Sequence, residues 1–255
     1  MKKSNTAVVI LKEWGLFIIF ISIIILSRLY LWSPVKVDGH SMDPTLANGE
    51  YLLVLKYQSI DRFDIVVATE TDKDGTTKEI VKRVIGMPGD TIQYENDTLY
   101  INGKKTDEPY LTDYIKKFKE DKLQSTYTGD DYDDNGEFFR KLAAQAQAFT
   151  VDSEGSPVFT IKLLDDEYLL LGDDRIVSKD SRQVGTFQKE QIQGEATFRF
   201  WPMLPFKTYK AYRTQLNVNW VRFKRRTYKL WNFTFQEPSN GLFLKIPATF
   251  SASCS

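Results

Sequence analysis

The sequence predicts a mainly β protein, in which an antiparallel β-domain with a small helical insertion is preceded by one transmembrane helix. Three observations support this fold class. Residues 14–32 form an apolar run near the start of the chain. Short alternating apolar runs, separated by turn residues, follow it and are typical of antiparallel strands rather than of βαβ units. Residues 108–150 interrupt these strands with apolar side chains at helical spacing.

The apolar run carries one charge, Arg28, between Trp14 and Trp32. Its length matches the roughly twenty residues that a helix needs to cross a bilayer. A cleavable signal peptide is the alternative, but no junction of small residues follows Trp32. Residues 1–13 contain three lysines, so the positive-inside rule places them in the cytoplasm. We therefore expect a single-pass protein of the cell membrane, with everything beyond the run extracytoplasmic.

The extracytoplasmic part is predicted to form one β-domain over residues 33–206. Its strands alternate apolar and polar residues and are bounded by Gly, Pro, Asn and Asp, which favour turns. The predicted strands are 51–55, 64–68, 79–85 and 98–101 before the insertion, and 158–161, 167–171 and 196–200 after it.

The 108–150 insertion is predicted to form two amphipathic helices on the rim of the β-domain. Between them, the acidic stretch 131–136 matches the first half of an EF-hand calcium loop, but Leu142 stands where that loop needs a bidentate glutamate. A solvated acidic turn is the better interpretation, and we expect no metal and no other cofactor. The residues at helical spacing are Tyr110, Leu111, Tyr114, Ile115 and Phe118, followed by Phe138, Phe139, Leu142 and Ala143.

Composition separates the last residues from the rest. Formal net charge is zero, but residues 207–255 contain nine lysines and arginines against one acid, Glu237. This basic aromatic tail has no predicted role: binding to an anionic membrane or wall polymer and an extension without function remain alternatives. Cys254 is the single cysteine, which excludes an internal disulfide and argues against a cysteine protease.

Ser41 is a candidate nucleophile whose base must be sought elsewhere in the chain. The single histidine, His40, precedes it, and successive side chains of an extended chain point to opposite faces. Lys82 lies in an apolar strand, where burial could lower its pKa enough for a neutral amine to act as the base. Ile80 would share its face and Arg83 would point the other way. The alternative is a solvated Lys82 with Arg83 turned inward.

Four segments carry a resemblance to a known family. In this order along the chain they resemble the boxes of type I signal peptidases of the Gram-positive branch, and the likeness covers roughly residues 8 to 204. It implies a β-domain of the signal peptidase type. The segments are Gly39-His40-Ser41-Met42-Asp43-Pro44-Thr45-Leu46, Arg62-Phe63-Asp64-Ile65-Val66-Val67, Lys82-Arg83-Val84-Ile85-Gly86-Met87-Pro88-Gly89-Asp90 and Gly172-Asp173-Asp174-Arg175-Ile176-Val177-Ser178-Lys179-Asp180-Ser181-Arg182.

The resemblance implies a role for each matching residue. Ser41 would be the nucleophile and Lys82 the general base, with the Ser178 hydroxyl orienting the amine. Asp180 and Arg182 would form an ion pair that supports the loop.

The last box departs from the family pattern. Asp174, Ile176 and Val177 stand where the family commonly has asparagine, aspartate and asparagine, which puts the hydrogen bonds of this loop in question.

The resemblance also implies the oxyanion site and the substrate. The backbone N–H of Ser41 is the expected oxyanion donor, while Gly39 occupies a position where some relatives carry a hydroxyl. Substrates would be exported pre-proteins with small residues at the first and third places before the cut. Val37, Met42 and Val81 are candidates for the pocket lining, with core packing as the alternative. The expected partners are these pre-proteins and the lipid bilayer, and not nucleic acid.

Other classes fit less well. A penicillin-recognising enzyme needs lysine three residues after the serine, where this chain has Pro44. Self-cleaving repressor-like proteins share the serine–lysine chemistry but lack an anchor. A non-enzymatic surface protein would be favoured by loss of Ser41 or Lys82, and both are present.

Overall fold

The computed structural model describes residues 6–72, 74–128, 132 and 135–201, with side chains from Trp14 onward. The predicted tail at 207–255 and half of the acidic stretch 131–136, namely residues 131, 133 and 134, lie outside the described residues. Four α-helices lie within the described part: α1 (Thr6–Tyr30), α2 (Thr112–Asp121), α3 (Gly136–Gln145) and α4 (Ser181–Val184).

The predicted antiparallel β-domain is confirmed. Its described strands form a seven-stranded sheet, in the order β1-β2-β11-β3-β4-β9-β10, and a four-stranded sheet, in the order β7-β6-β5-β8. Every pairing is antiparallel. The strands are β1 (Trp32–Lys36), β2 (Tyr51–Leu55), β3 (Ile65–Thr71), β4 (Thr77–Gly86), β5 (Thr91–Glu95), β6 (Thr98–Ile101), β7 (Lys104–Thr106), β8 (Val158–Lys162), β9 (Glu167–Leu171), β10 (Phe187–Gln188) and β11 (Ile192–Trp201).

Strand β4 is the element that positions the site. It pairs with β3 from Thr77 to Arg83, but with β9 only from Arg83 to Gly86. Its first half therefore borders β3 on one side and, within the described residues, no strand on the other. Side chains alternate along it, so Lys82 and Arg83 leave the strand on opposite faces.

The insertion packs onto the β-domain through aromatic residues. Helices α2 and α3 contribute Tyr114, Phe118 and Phe139 to one large apolar cluster, which also holds residues of the four-stranded sheet such as Ile92 and Leu99. The predicted helical spacing thus corresponds to buried faces except at Phe138, which is 58% exposed. A short 3-10 turn, Thr126–Thr128, lies between the two helices.

Helix α1 runs over twenty-five residues and leads directly into β1. Its described side chains are mostly exposed and apolar; Leu16, for example, is 85% exposed. The Lys56 backbone N–H donates to Leu31 O at 3.0 Å, which ties the end of this helix to the sheet. Counted over the described residues, no helix is both long and apolar enough to cross a membrane.

Four strands were not predicted. The β1 strand begins at Trp32, which was assigned to the end of the apolar run, and contains Pro34. Proline is tolerated there because β1 lies at the edge of its sheet. The β7 and β10 strands have only three and two residues, too few for an alternating pattern to register. The β5 strand lies between the turn residues 88–90 and 96–97, and its five residues were assigned to the segment between strands.

Candidate active site

Ser41 lies on the loop that joins β1 to β2. Gly39 precedes it with a φ of +87°, a left-handed conformation that glycine adopts without strain. The Gly39 N–H donates to Asn48 Oδ1 at 3.1 Å. After Ser41 the chain turns, with the Thr45 N–H donating to Met42 O at 2.8 Å. The loop is thus fixed on both sides of the serine.

Lys82 meets Ser41 across the loop. Its Nζ lies 2.7 Å from Ser41 Oγ, and the lysine is only 4% exposed. Burial lowers the pKa of this amine to about 8, against the opposing effects of Asp180 and Glu70. Near pH 8 the Lys82 amine is therefore neutral in a substantial fraction of the molecules, and the neutral amine can take a proton from the serine hydroxyl.

Arg83 leaves β4 on the other face and is also buried. It donates from Nε and Nη2 to the two Asp173 carboxylate oxygens at 2.8 and 2.6 Å. Its guanidinium lies 4.0 Å from the centroid of the Tyr110 ring. The alternative of a solvated Lys82 is therefore wrong, since neither side chain of the pair faces solvent. The sequence pattern predicted that one face of β4 is buried, whereas the structure buries both faces at Lys82 and Arg83.

Ser178 is buried beside the loop that carries Ser41. A Cβ added to Gly172 would overlap both Ser178 Oγ and the Ser41 carbonyl oxygen, so these three residues meet closely. The Ser178 hydroxyl has no hydrogen-bond partner in the described part of the chain. Its role in orienting the amine of Lys82 stays a prediction.

Asp180 and Arg182 form an ion pair, with Arg182 Nε donating to Asp180 Oδ1 at 2.8 Å. Asp180 Oδ2 also accepts from the Gly172 N–H at 3.0 Å. Burial opposes ionisation of Asp180, but the Arg182 guanidinium holds the pKa of this carboxyl below its ordinary value. The pair thus anchors the backbone that runs past Ser41.

Asp174 stands where the family commonly has asparagine, and both oxygens of its side chain have hydrogen-bond partners. Both its carboxyl oxygens lie 2.9 Å from the Tyr127 hydroxyl, and Oδ1 accepts from the Ile176 N–H at 3.2 Å. Burial, followed by the nearby charge of Asp43, raises the pKa of Asp174 to about 8. Its backbone N–H donates to Ser41 O at 3.1 Å.

His40 is engaged away from the Ser41 hydroxyl. Its Nδ1 lies 3.0 Å from Asp43 Oδ2, and its ring centroid lies 4.7 Å from that of Tyr132. This arrangement agrees with the prediction that the imidazole is not the base for its neighbour.

The predicted pocket residues divide. Val37 and Met42 are 3% and 1% exposed and pack with Leu46 and Leu52 in the core, which is the core-packing alternative. Val81 packs against the same cluster but is only partly buried, so it alone of the three offers surface to a substrate.

Several residues of the site were missed from the sequence. Asp173 pairs with Arg83, and Tyr127 pairs with Asp174. In each pair the partners are far apart along the chain, so no local sequence pattern predicts the contact. Gly172 and Asp173 belong to the last of the four segments, but the sequence assigned neither of them a role. Within the described residues, no three His, Cys, Asp or Glu side chains are grouped so that they could hold a metal ion.

Comparison with known proteins gives consistent matches. The family described as signal peptidase, peptidase S26, matches residues 11–201. A "Signal peptidase I" of Streptococcus pneumoniae (strain ATCC BAA-255 / R6) is 62% identical over 200 residues, which are 78% of this chain and 97% of that protein. A "Signal peptidase IB" of Staphylococcus aureus (strain Mu50 / ATCC 700699) is 36% identical over 203 residues, 77% of this chain and 93% of that protein.

Solved structures also match. The crystal structure of a signal peptidase I from Enterococcus faecalis V583 gives a TM-score of 0.36 at 25% identity, covering 54% of this chain and 97% of that chain.

Proposed function

Because the chain belongs to the signal peptidase family, peptidase S26, and therefore removes signal peptides as a serine protease, we propose that Ser41 is its nucleophile and Lys82 its general base. The observation that carries the proposal is the 2.7 Å contact between Lys82 Nζ and Ser41 Oγ. An amine this deeply buried, with its pKa lowered to about 8, has the protonation state that a general base needs.

The first half of the reaction is acyl transfer to Ser41. The neutral Lys82 amine accepts the hydroxyl proton as Ser41 Oγ attacks the scissile carbonyl carbon. The negative charge that develops on the carbonyl oxygen is met by the backbone N–H of Ser41, the expected oxyanion donor. The Lys82 ammonium then gives its proton to the departing amine, the C–N bond breaks, and the signal peptide remains as an ester on Ser41.

The second half regenerates the enzyme. Lys82, neutral again, takes a proton from a water molecule that attacks the ester carbonyl. The C–O bond to Ser41 breaks, and the proton returns from Lys82 to the serine oxygen. Ser178, Asp180 and Arg182 support this chemistry by fixing the backbone beside the pair; the Asp180 bond to the Gly172 N–H favours that role.

The substrate is proposed to bind as an extended peptide along the first half of β4. The described residues leave that edge of the strand without a partner strand, so its backbone groups are available for β-augmentation. Val81 would line the shallow pocket that accepts small residues before the cut. The substrates are exported pre-proteins with small-x-small junctions.

The chain is further proposed to be anchored in the cell membrane by residues 14–32, with the catalytic domain extracytoplasmic. The exposed apolar side chains of α1, among them Leu16 and Ile19, support this because hydrocarbon would remove their surface from water. Alkaline carbonate extraction tests the anchor: the full chain should stay with the membrane and a chain lacking residues 1–32 should not.

The catalytic proposal is tested on one pre-protein with an Ala-x-Ala junction, followed by gel shift. We expect Ser41→Ala to abolish cleavage, and Lys82→Ala to slow it by about 10²–10⁴-fold, the usual contribution of a general base. His40→Ala should retain most activity. Circular dichroism controls for folding, and near-normal turnover by folded Lys82→Ala would contradict the mechanism.

A further inference from the structure

The 108–150 insertion reaches the nucleophile loop through one buried hydroxyl. Tyr127, in the 3-10 turn Thr126–Thr128, is fully buried. Its hydroxyl lies 2.9 Å from each carboxyl oxygen of Asp174, a residue 47 positions further along the chain. This contact is a specific polar link between the insertion and the loop that follows β9.

Asp174 passes that link to Ser41. Its backbone N–H donates to the Ser41 carbonyl oxygen at 3.1 Å, while its own carbonyl accepts from the Ser178 N–H at 3.0 Å. Asp174 therefore holds the peptide group that follows Ser41, and Tyr127 in turn holds the side chain of Asp174. Because Gly172 leaves no room for a side chain between Ser41 and Ser178, the two loops approach backbone to backbone.

The Tyr127 ring supports the same loop from its other side. It packs edge-on against Tyr132 and Phe139, with centroid distances of 5.3 and 5.6 Å. Both of these rings contact His40, at 4.7 and 5.9 Å. His40 and the carbonyl group of Ser41 itself are thus both fixed by contacts that lead back to Tyr127.

We propose that Tyr127 is a positioning residue for the cleavage reaction, holding Ser41 in its attacking geometry through Asp174. This inference rests on the proposed role of Ser41 as nucleophile. The 2.7 Å contact between Lys82 and Ser41 requires the serine to stay where it is, and a displacement of about 1 Å in a reacting group can cost on the order of 10²-fold in rate. The Tyr127 hydroxyl would thereby affect the rate of the chemical step through Asp174, without being one of the reacting groups.

The chemistry of Asp174 fits a link that needs an acceptor oxygen rather than a charge. The groups that act on it include Asp43, Tyr114, Tyr127 and Tyr132, and none of these four is a cation. Burial raises its pKa to about 8, so at neutral pH the carboxyl is mostly protonated. An asparagine at this position would keep an acceptor for Tyr127 without the titration.

The test compares kcat and KM of full-length variants in detergent micelles on the same pre-protein. Tyr127→Phe removes only the hydroxyl and should lower kcat about 10- to 100-fold with KM nearly unchanged. The matched control is Tyr110→Phe, which removes another buried hydroxyl, one that donates to Glu108 Oε1 at 2.6 Å, and leaves the contact between Tyr127 and Asp174 in place. It should lose similar stability and keep its kcat.

Variants of Asp174 keep the proposal testable if Tyr127→Phe folds poorly. Asp174→Asn should retain kcat within about threefold at pH 7, whereas Asp174→Ala should fall as far as Tyr127→Phe. Because both act through one link, Tyr127→Phe combined with Asp174→Ala should be no slower than either single variant.

Three results would overturn the proposal: an unchanged kcat for folded Tyr127→Phe, equal activities of Asp174→Asn and Asp174→Ala, or multiplicative losses in the double variant. Failure of the nucleophile assignment is distinguishable, because it would appear as cleavage by Ser41→Ala.

Discussion

Strand β4 carries two adjacent cations whose surroundings differ although their burial does not. Lys82 and Arg83 are 4% and 6% exposed, on opposite faces. Arg83 meets the Asp173 carboxylate in a bidentate pair, and the charge of Asp173 raises its pKa against the effect of burial. Lys82 contacts a serine hydroxyl, and burial lowers its pKa to about 8.

The difference shows that burial alone does not decide the protonation state of a side chain. Removing a cation from water costs free energy on either face, and a carboxylate in contact restores the charged form. On the Arg83 face the Asp173 carboxylate keeps the guanidinium charged, and the pair contributes to the fold. On the Lys82 face the contact is a serine hydroxyl and not a carboxylate. The amine can therefore lose and regain its proton during a reaction. Five predictions test how burial and a contacting partner together set the charge of a side chain and its contribution to stability.

Lys82→Met should separate activity from stability. Cleavage should fall by about 10²–10⁴-fold because the base is gone. Stability at pH 7 should rise, since a buried ammonium is replaced by an apolar side chain of similar length. That gain should shrink as the pH rises from about 8 towards the ordinary lysine pKa, because the wild-type amine then loses its charge in the folded state. Urea midpoints across this range measure it, and a drop in stability at pH 7 would contradict the comparison.

Arg83→Met should do the opposite, by leaving the Asp173 carboxylate buried without its cation. Breaking a buried pair in this way typically costs about 3–5 kcal/mol of unfolding free energy. Adding Asp173→Leu should recover most of the loss, because two apolar residues need no partner. Denaturant unfolding of the single and double variants decides it, and a double variant no more stable than Arg83→Met would show that something other than the unpaired charge is responsible.

The rate of cleavage should follow the deprotonation of Lys82. With a pKa of about 8, kcat/KM should rise about tenfold per pH unit well below pH 8 and level off above it. The profile should be unchanged in His40→Ala. A rate that is flat from pH 6 to pH 9 would mean that the charged form of Lys82 is not the inactive one.

Asp174→Asn should remove a pH-dependent loss of stability. In the wild type the folded carboxyl holds its proton up to about pH 8 while the unfolded one releases it near its ordinary pKa of 3.8. Stability therefore falls as the pH rises through this window, by at most about 1.4 kcal/mol per unit. The variant should match the wild type near pH 3 and exceed it in Tm at pH 8; equal Tm values at pH 8 would count against the raised pKa.

Lys179→Ala should have the smallest effect. Lys179 is well paired, with Glu70 at 2.7 Å and Asp72 at 3.0 Å, but its side chain is half exposed. Solvent screens such pairs, so their removal changes stability little. Thermal unfolding beside Arg83→Met compares a solvated pair with a buried one. A loss as large as that of Arg83→Met would mean that contact distance, and not burial, sets the energy of these pairs.

The sequence was informative where a local pattern carries the physics. Alternation identified β4, and the position of the lone histidine beside Ser41 indicated that the base had to come from elsewhere in the chain; the family resemblance then selected Lys82 as the proposed base. It was silent where a partner comes from a distant segment: Asp173 and Tyr127 are unremarkable residues until the fold brings them to Arg83 and Asp174.

Alternation also misled where both faces of a strand are buried, since it predicts one face towards water. Arg83 was therefore expected opposite the buried face and lies in a second one. Val37 and Met42 were proposed for a pocket on the strength of proximity to Ser41, but neighbours along the chain need not share its exposure, and both lie in the core.

Gly172 has a consequence for how this gene can vary. Its hydrogen atom stands where a Cβ would overlap the Ser41 carbonyl oxygen and the Ser178 hydroxyl. Every missense change of a glycine codon introduces a side chain with a Cβ, so no single nucleotide exchange offers a gentle substitute. Inherited variation at this codon should be confined to synonymous changes, and a library of random mutants selected for secretion should be depleted of all others there, even though the residue contributes no functional group of its own.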